Sequence, residues 1–248
     1  MKRTVAKIIA NRQTARDIFE LIIELPEEVK TEPGQFAMLS AGTREGIYLK
    51  RPLSVHDCEG KRVTFLYAQK GKGTKELSTF SQGEIEVILP LGKGFPTIER
   101  GAKVALLGGG IGIFPLYMLF RAYPDAKYYS YLGYRCADSV CLTDKFRERS
   151  AHTVIATDDG SYGKRGVITA LLAKEIKALA PDIILACGPL PMLKALKALN
   201  SGIPTYVSME ERMACGFGAC LVCACASRGS YVRTCTEGPV FDINEVDL

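Results

Sequence analysis

The sequence predicts a multidomain chain of β and α/β parts. An antiparallel β domain, barrel or sandwich, comes first. A doubly wound parallel α/β domain follows, and a small C-terminal domain stapled by cysteines closes the chain. Three observations predict this. Residues 1–99 carry short apolar runs broken by turn residues, the rhythm of antiparallel strands. Residues 100–208 alternate strand-like and helix-like stretches, the pattern of βαβ units around a parallel sheet. Residues 209–248 hold five of the nine cysteines in a stretch too short to build an ordinary core, where a domain usually needs a staple such as a metal.

In the first region the predicted strands are Val5–Ile9, Ile18–Leu25, Gln35–Leu39, Ile47–Lys50, Arg62–Tyr67 and Glu84–Leu89. Pro33-Gly34, Glu59-Gly60 and Gln82-Gly83 punctuate them, and only Thr74–Phe80 reads as a helix. In the second region Lys103–Leu107 is a short apolar strand, followed by a glycine cluster and a helix over Ile113–Tyr123. Lys127–Gly133, His152–Thr157, Asp182–Ala186 and Thr205–Ser208 read as further strands, with Val167–Leu179 and Pro191–Leu199 as helices between them.

Composition excludes several functions. The net charge is +5, from 32 basic and 27 acidic residues. These charges are scattered without an aromatic-rich basic stripe, which is a solvated surface and not a nucleic-acid face. No apolar run reaches the ~18 residues of a membrane span. The start MKRTVAKIIANRQTARD lacks the apolar core of a secretory signal. The expectation is a cytoplasmic protein. In a reducing compartment a disulfide framework is unexpected, so clustered cysteines read as metal or redox chemistry.

Cys215, Cys220, Cys223 and Cys235 are spaced C-x4-C-x2-C-x11-C. The C-x4-C-x2-C…C pattern is the plant-type ligand set of a [2Fe–2S] cluster. Thiolates are soft, charged ligands suited to iron, and Gly216 and Gly218 let the backbone wrap closely with N–H groups free for the cluster sulfurs. The alternative is a structural zinc, but four-cysteine zinc sites usually come as two C-x2-C pairs, and one is present. Cys225 reads as a small buried hydrophobe beside the ligand set. Cys58, Cys136, Cys141 and Cys187 are isolated and read as core.

Two further signals lie in the β region. Arg51-Pro52-Leu53-Ser54 offers a guanidinium that can hold a pyrophosphate bidentately and a hydroxyl that can meet a ring nitrogen. Gly71-Lys72-Gly73-Thr74 precedes a short helix, where backbone N–H groups can approach a phosphate. Its other reading is a plain turn with Thr74 as N-cap. Two such signals in one β-rich domain point to a flavin nucleotide more strongly than either alone. In the α/β region, Gly108-Gly109-Gly110-Ile111-Gly112 sits between a strand and a helix. It departs from a strict G-x-G-x-x-G, yet it has the context of a dinucleotide turn. Cys187-Gly188-Pro189 ends another strand, at the sheet edge where ligands bind. Asp158-Asp159-Gly160-Ser161 ends a third, and reads either as facing a nucleotide or as a solvated turn.

In order and spacing, R-P-L-S, G-K-G-T, G-G-G-I-G and C-G-P resemble the ferredoxin–NADP reductase superfamily. The run E-R-M-A-C-G-F-G-A-C-L-V-C, ending at T-C-T-E-G-P-V-F, resembles the electron-transfer subunits of class B dihydroorotate dehydrogenases. The resemblance covers essentially the whole chain. It implies an FAD-binding β-barrel over residues 1–99, an NAD-binding α/β domain over 100–208 and a [2Fe–2S] domain over 209–248. It implies that Arg51, Pro52, Leu53, Ser54, Leu66, Tyr67, Ala68, Gly73 and Thr74 bind FAD. Gly108, Gly109, Gly110, Gly112, Cys187, Gly188 and Pro189 would line the NAD site, and the four cysteines named above would hold the cluster. It also implies a separate FMN-containing catalytic subunit, in a heterotetramer of two plus two. No catalytic base for dihydroorotate oxidation is then needed here. Two departures stand out. Leu53 replaces the aromatic common in the superfamily, and the usual C-terminal aromatic is absent, which leaves that flavin face to the cluster segment. Subunits of sulfide dehydrogenase or of NADH-dependent ferredoxin:NADP reductase would share these motifs. A zinc-stapled module without catalytic function is the reading outside enzymes.

Overall fold

The structure, a computed structural model, describes residues 1–42 and 47–248. Six antiparallel strands close a barrel: β1 (Lys2–Ala15), β2 (Ile18–Glu24), β3 (Phe36–Leu39), β4 (Arg51–Glu59), β5 (Arg62–Ala68) and β6 (Glu84–Leu91), in the order β1-β2-β5-β4-β3-β6. The barrel alternative is therefore the one realised. β6 alternates buried and half-exposed side chains along its length, as a strand with one face in a core must. Leu21, Ile23, Val55, Val63, Phe65 and Val87 fill the interior. Closure leaves the barrel without a free strand edge.

One helix, α1 (Lys72–Leu77), connects β5 to β6. Gly71 is its N-cap, not Thr74. Thr74 lies in the first turn, where its hydroxyl accepts the N–H groups of Lys70 and Gly71. Ile47–Lys50 is not a strand; β4 begins at Arg51.

The parallel sheet is built from β7 (Lys103–Gly109), β8 (Lys127–Tyr134), β9 (His152–Thr157), β10 (Lys164–Arg165), β11 (Ile183–Cys187) and β12 (Thr205–Ser208). Helices α2 (Met118–Ala122), α3 (Thr143–Arg149), α4 (Ile168–Leu179) and α5 (Leu190–Ala198) connect them. β7 is buried along almost all of its length, which marks a central strand covered on both faces. The expected helix over Ile113–Tyr123 is instead a 3₁₀ segment, Gly110–Leu116, followed by the short α2. Pro115 lies inside that first turn; it has no N–H to give an α-helical bond and its ring crowds the preceding turn.

The C-terminal segment carries a hairpin of β13 (Ala224–Ser227) and β14 (Ser230–Arg233), then β15 (Val240–Asp242). β15 pairs antiparallel with β12 and extends the sheet to seven strands, in the order β10-β9-β8-β7-β11-β12-β15. Phe241, Ile243 and Val246 enter the sheet's core. The cysteine-rich stretch thus borrows a core from its neighbours, as its small size requires.

Barrel and sheet meet through β4. His56 is buried, and its Nδ1 lies 2.8 Å from the Phe114 carbonyl. Asp57 accepts two hydrogen bonds from Arg121, at 2.7 and 2.9 Å. Burial pushes the His56 imidazole down to about 4 from an ordinary 6.5. The hydrogen bond to Phe114 opposes the shift, Lys145 adds to it, and Asp57 and Glu20 offset part of it. The folded state therefore favours the neutral ring. Stability should be intact above about pH 6.5, decline as pH falls, and reach its full loss below about pH 4, roughly 3 kcal/mol from this group. Urea titrations across that range check this: His56→Asn should lack this part of the slope.

Candidate functional site

A cleft of about 230 Å³ opens where barrel, sheet and cysteine segment meet. β4 brings Pro52, Leu53 and Ser54 to its wall, β5 brings Leu66, Tyr67 and Ala68, α1 brings Thr74, and β11 brings Cys187. These predicted residues, far apart in sequence, converge on one cavity. Its mixed apolar and polar wall suits a large planar ligand with a few directed contacts.

Arg51 and Gly73 do not line this cleft; they meet beside it. A Cβ at Gly73 would overlap the Arg51 guanidinium, so glycine is what lets the cation lie against the start of α1. Arg51 also donates to the Leu49 carbonyl at 2.8 Å. The guanidinium and the turn before α1 thus form one polar corner next to the cleft.

The glycine turn and the Cys187 strand end also meet. β7 and β11 pair in parallel with Gly108 opposite Cys187. Gly112 packs so closely that a Cβ would overlap the Cys187 carbonyl, and Gly109 lies against Pro189 and Met192. Gly188 approaches the Gly109 backbone. The glycines themselves do not line the cleft; their neighbours Ile111, Phe114 and Pro115 do. Cys187 is fully buried, and that burial raises its thiol well above the ordinary range. Asp159 accepts the Ser161 N–H at 3.0 Å and its hydroxyl at 2.6 Å, which closes the Asp158–Ser161 loop on itself.

Sequence reasoning missed one wall. Ser208, Met209, Glu210, Glu211 and Met213 line the cleft. They run on from Ser208, the last residue of β12, and the carboxyl end of a parallel strand was the available signal.

Next to this wall lies the cysteine loop. The Cys215 thiol feels the Cys220 thiol, the Cys235 thiol feels those of Cys223 and Cys215, and the Ala219 N–H donates to Cys215 Sγ at 3.3 Å. Among the described residues no group of three or more His, Cys, Asp or Glu is placed to hold a single metal ion. The C-x4-C-x2-C spacing is that of a two-iron cluster, whereas four-cysteine zinc sites usually come as two C-x2-C pairs. Burial would raise the Cys215 thiol, but N–H groups of Phe217, Cys220 and Ala219 and the Cys220 thiol bring it down to about 6. Gly216 and Gly218 adopt positive φ of +81° and +90°, which frees the loop to turn those N–H groups inward. Arg233 closes the loop by donating to the Gly218 carbonyl at 3.3 Å and to Glu237 at 2.7 Å. The donor set and its backbone fit a [2Fe–2S] cluster.

Cys225 stands apart. It is buried in the sheet's core and accepts a hydrogen bond from the Thr234 hydroxyl at 3.6 Å. Cys225→Ser is expected to leave the visible spectrum of the iron-loaded protein unchanged; a bleached or shifted spectrum would make it a ligand.

The cysteine loop and the cleft share side chains. Phe36, Met38 and Leu91 of the barrel form one apolar cluster with Cys223 and Cys235, and Met213 packs against it. Phe36 and Met213 also line the cleft.

A family model described as the iron-sulfur cluster binding domain of dihydroorotate dehydrogenase B matches residues 210–247, and one for an oxidoreductase NAD-binding domain matches residues 106–198. The dihydroorotate dehydrogenase B (NAD(+)) electron transfer subunit of Caldanaerobacter subterraneus is 40% identical, over 97% of both chains. That of Shouchella clausii is 41% identical, over 97% of this chain and 96% of the relative. This chain belongs to that family of electron transfer subunits. A chain in the structure of an NADH-dependent reduced ferredoxin-NADP oxidoreductase superposes with a TM-score of 0.85 at 32% identity, covering 98% of this chain and 89% of the other. Family membership accounts for a barrel, a nucleotide-type sheet and a cysteine loop meeting at one cleft. Among the described residues, no helix of this family member is long and apolar enough to cross a membrane.

Proposed function

We propose that this chain carries electrons from a dihydroorotate-oxidising subunit to NAD⁺. Cys215, Cys220, Cys223 and Cys235 would hold a [2Fe–2S] cluster, and the cleft would seat the isoalloxazine ring of FAD. The observation that carries this reading is the shared wall: Phe36 and Met213 border both the cysteine loop and the cleft. When bound, the cluster carries single electrons and the flavin exchanges electron pairs with nicotinamide as hydride.

The chain's own residues divide the work. Ser54 and Thr74 offer hydroxyls to the ring and its tail, Leu53, Leu66, Tyr67 and Ala68 pack the ring, and Pro52 sets the strand's entry. Arg51 with Gly73 would hold the pyrophosphate. Gly108, Gly109, Gly110 and Gly112 let the nucleotide turn lie against Cys187, Gly188 and Pro189, where the nicotinamide would dock. The three working units are residues 1–99, 100–208 and 209–248, the last lending a strand to the second.

The partner in this proposal is an FMN-containing catalytic subunit in a heterotetramer of two plus two, in the cytoplasm. Phe217, Leu221 and Val222 are 46%, 62% and 52% exposed around the exposed Cys220. An exposed apolar group of this kind marks a docking face, and it supports placing the catalytic subunit there. The structural match at 32% identity favours a second reading, a subunit of an NADH-dependent ferredoxin:NADP reductase. Co-expression with candidate partners distinguishes them. A partner that binds FMN and oxidises dihydroorotate supports the proposal; a large partner with [4Fe–4S] clusters overturns it.

A further inference from the structure

His56 lines neither the cleft nor the cysteine loop, yet it is buried where the two larger units meet. It follows Ser54 by two residues on β4 and is 1% exposed. Its Nδ1 lies 2.8 Å from the Phe114 carbonyl; a carbonyl only accepts, so Nδ1 carries the hydrogen. Its ring stacks on Tyr117 with centroids 4.7 Å apart and an interplanar angle of 16°. Lys145 in turn lies 5.5 Å from the Tyr117 ring centroid. Nε2 is buried and has no hydrogen-bond partner among the described residues.

We propose that His56 is a positioning residue for hydride transfer: its N–H fixes the height of the turn Gly110–Leu116 above the strand that carries Ser54. The proposal rests on the cleft being the flavin and nicotinamide site. Ser54 lines one wall of that cleft, and Ile111, Phe114 and Pro115 line another. The bond ends on a main-chain carbonyl, so it holds the turn's backbone and not a side chain free to rotate. Ring stacking on Tyr117, the residue after the turn, fixes the same segment from a second side. The adjacent residue Asp57 ties Arg121 of α2, which sets the direction in which the turn continues. An apolar side chain of similar size would fill the space without leaving a buried nitrogen unpaired. What the imidazole adds is a directed N–H, and a directed bond is what alignment requires. Hydride transfer depends steeply on alignment, with a misplacement of about 1 Å costing on the order of 100-fold.

The test uses the purified chain loaded with FAD and cluster. Flavin reduction by saturating NADH is followed by stopped flow in wild type, His56→Phe and His56→Asn. Reduction by dithionite, which needs no nicotinamide docking, is measured beside it, together with flavin and iron content. His56→Phe keeps the ring stack and loses the N–H. It is expected to retain both cofactors and its dithionite rate, while NADH reduction slows by about 10- to 100-fold. Asn presents an N–H near the Nδ1 position and should recover to within about fivefold of wild type, given that each directed bond is modest in strength. Should His56→Phe fail to hold flavin, His56→Leu against His56→Asn makes the same comparison, with Asn at least about ten times faster. Unchanged NADH reduction in the variant that lacks the N–H overturns the proposal, and so does an equal loss in the dithionite rate. A wild-type protein that holds flavin but is not reduced by NADH instead overturns the assignment of the cleft, a separate outcome.

Discussion

Cys223→Ser is expected to remove the cluster while leaving the flavin half of the chain working. Cys223 is buried and set, with Cys235, in the apolar cluster that includes Phe36 and Met38. Serine is a harder, far less acidic donor, and a two-iron cluster that loses one of four thiolates loses its hold on one iron. Changes to groups outside the ligand set already cost about 10- to 100-fold in metal affinity or activity, so loss of a ligand should exceed that. Iron analysis should fall from two per chain towards none. Electron transfer from the catalytic subunit to NAD⁺ should drop at least about 100-fold. Flavin content and NADH-driven reduction of a soluble dye should persist, because none of the four cysteines lines the cleft. Loss of the dye reaction together with iron would mean that the cluster also shapes the flavin site.

Gly112→Ala is expected to have the opposite signature. An added methyl would overlap the Cys187 carbonyl and press on Gly188. Those contacts are backbone, so neither side can rotate away. The glycine turn and the Cys187 strand end must separate, and packing strain of this kind costs roughly 1–3 kcal/mol. Separation opens the edge where nicotinamide would dock, so hydride transfer should fall on the order of 100-fold. Cluster content should remain that of the wild type. Stopped-flow reduction by NADH, with iron analysis of the same sample, checks both halves. A variant that reduces at the wild-type rate would show that the turn does not set the docking edge.

How much of this was readable from the residues differs by element. The cysteine spacing carried its ligand set because x4 and x2 loops between soft ligands have few other uses. The glycine turn was readable through its context, strand before and helix after, although Pro115 makes that helix start as a 3₁₀ turn. β4 was misplaced. Arg51-Pro52 looks like a strand's end, yet Pro52 sits near the strand's beginning, opposite Met38, a position proline tolerates. α3 was not expected, since Thr143–Arg149 is mostly charged and buries only Thr143 and Phe146. β15 could not be read as a partner of β12, because three residues carry no period. The wall from Ser208 to Met213 was hidden for a different reason: its role comes from where β12 ends, not from its side-chain types.

The central claim is that electrons pass between a flavin in the cleft and a cluster held by the four cysteines across the wall formed by Phe36 and Met213. Electron paramagnetic resonance of the isolated, fully loaded chain after anaerobic mixing with NADH tests it most directly. The account predicts the signal of a reduced [2Fe–2S] cluster appearing as the flavin absorbance bleaches, and its absence in Cys223→Ser while bleaching continues. A cluster that stays oxidised beside a fully reduced flavin, or a colourless protein holding one zinc, would contradict it.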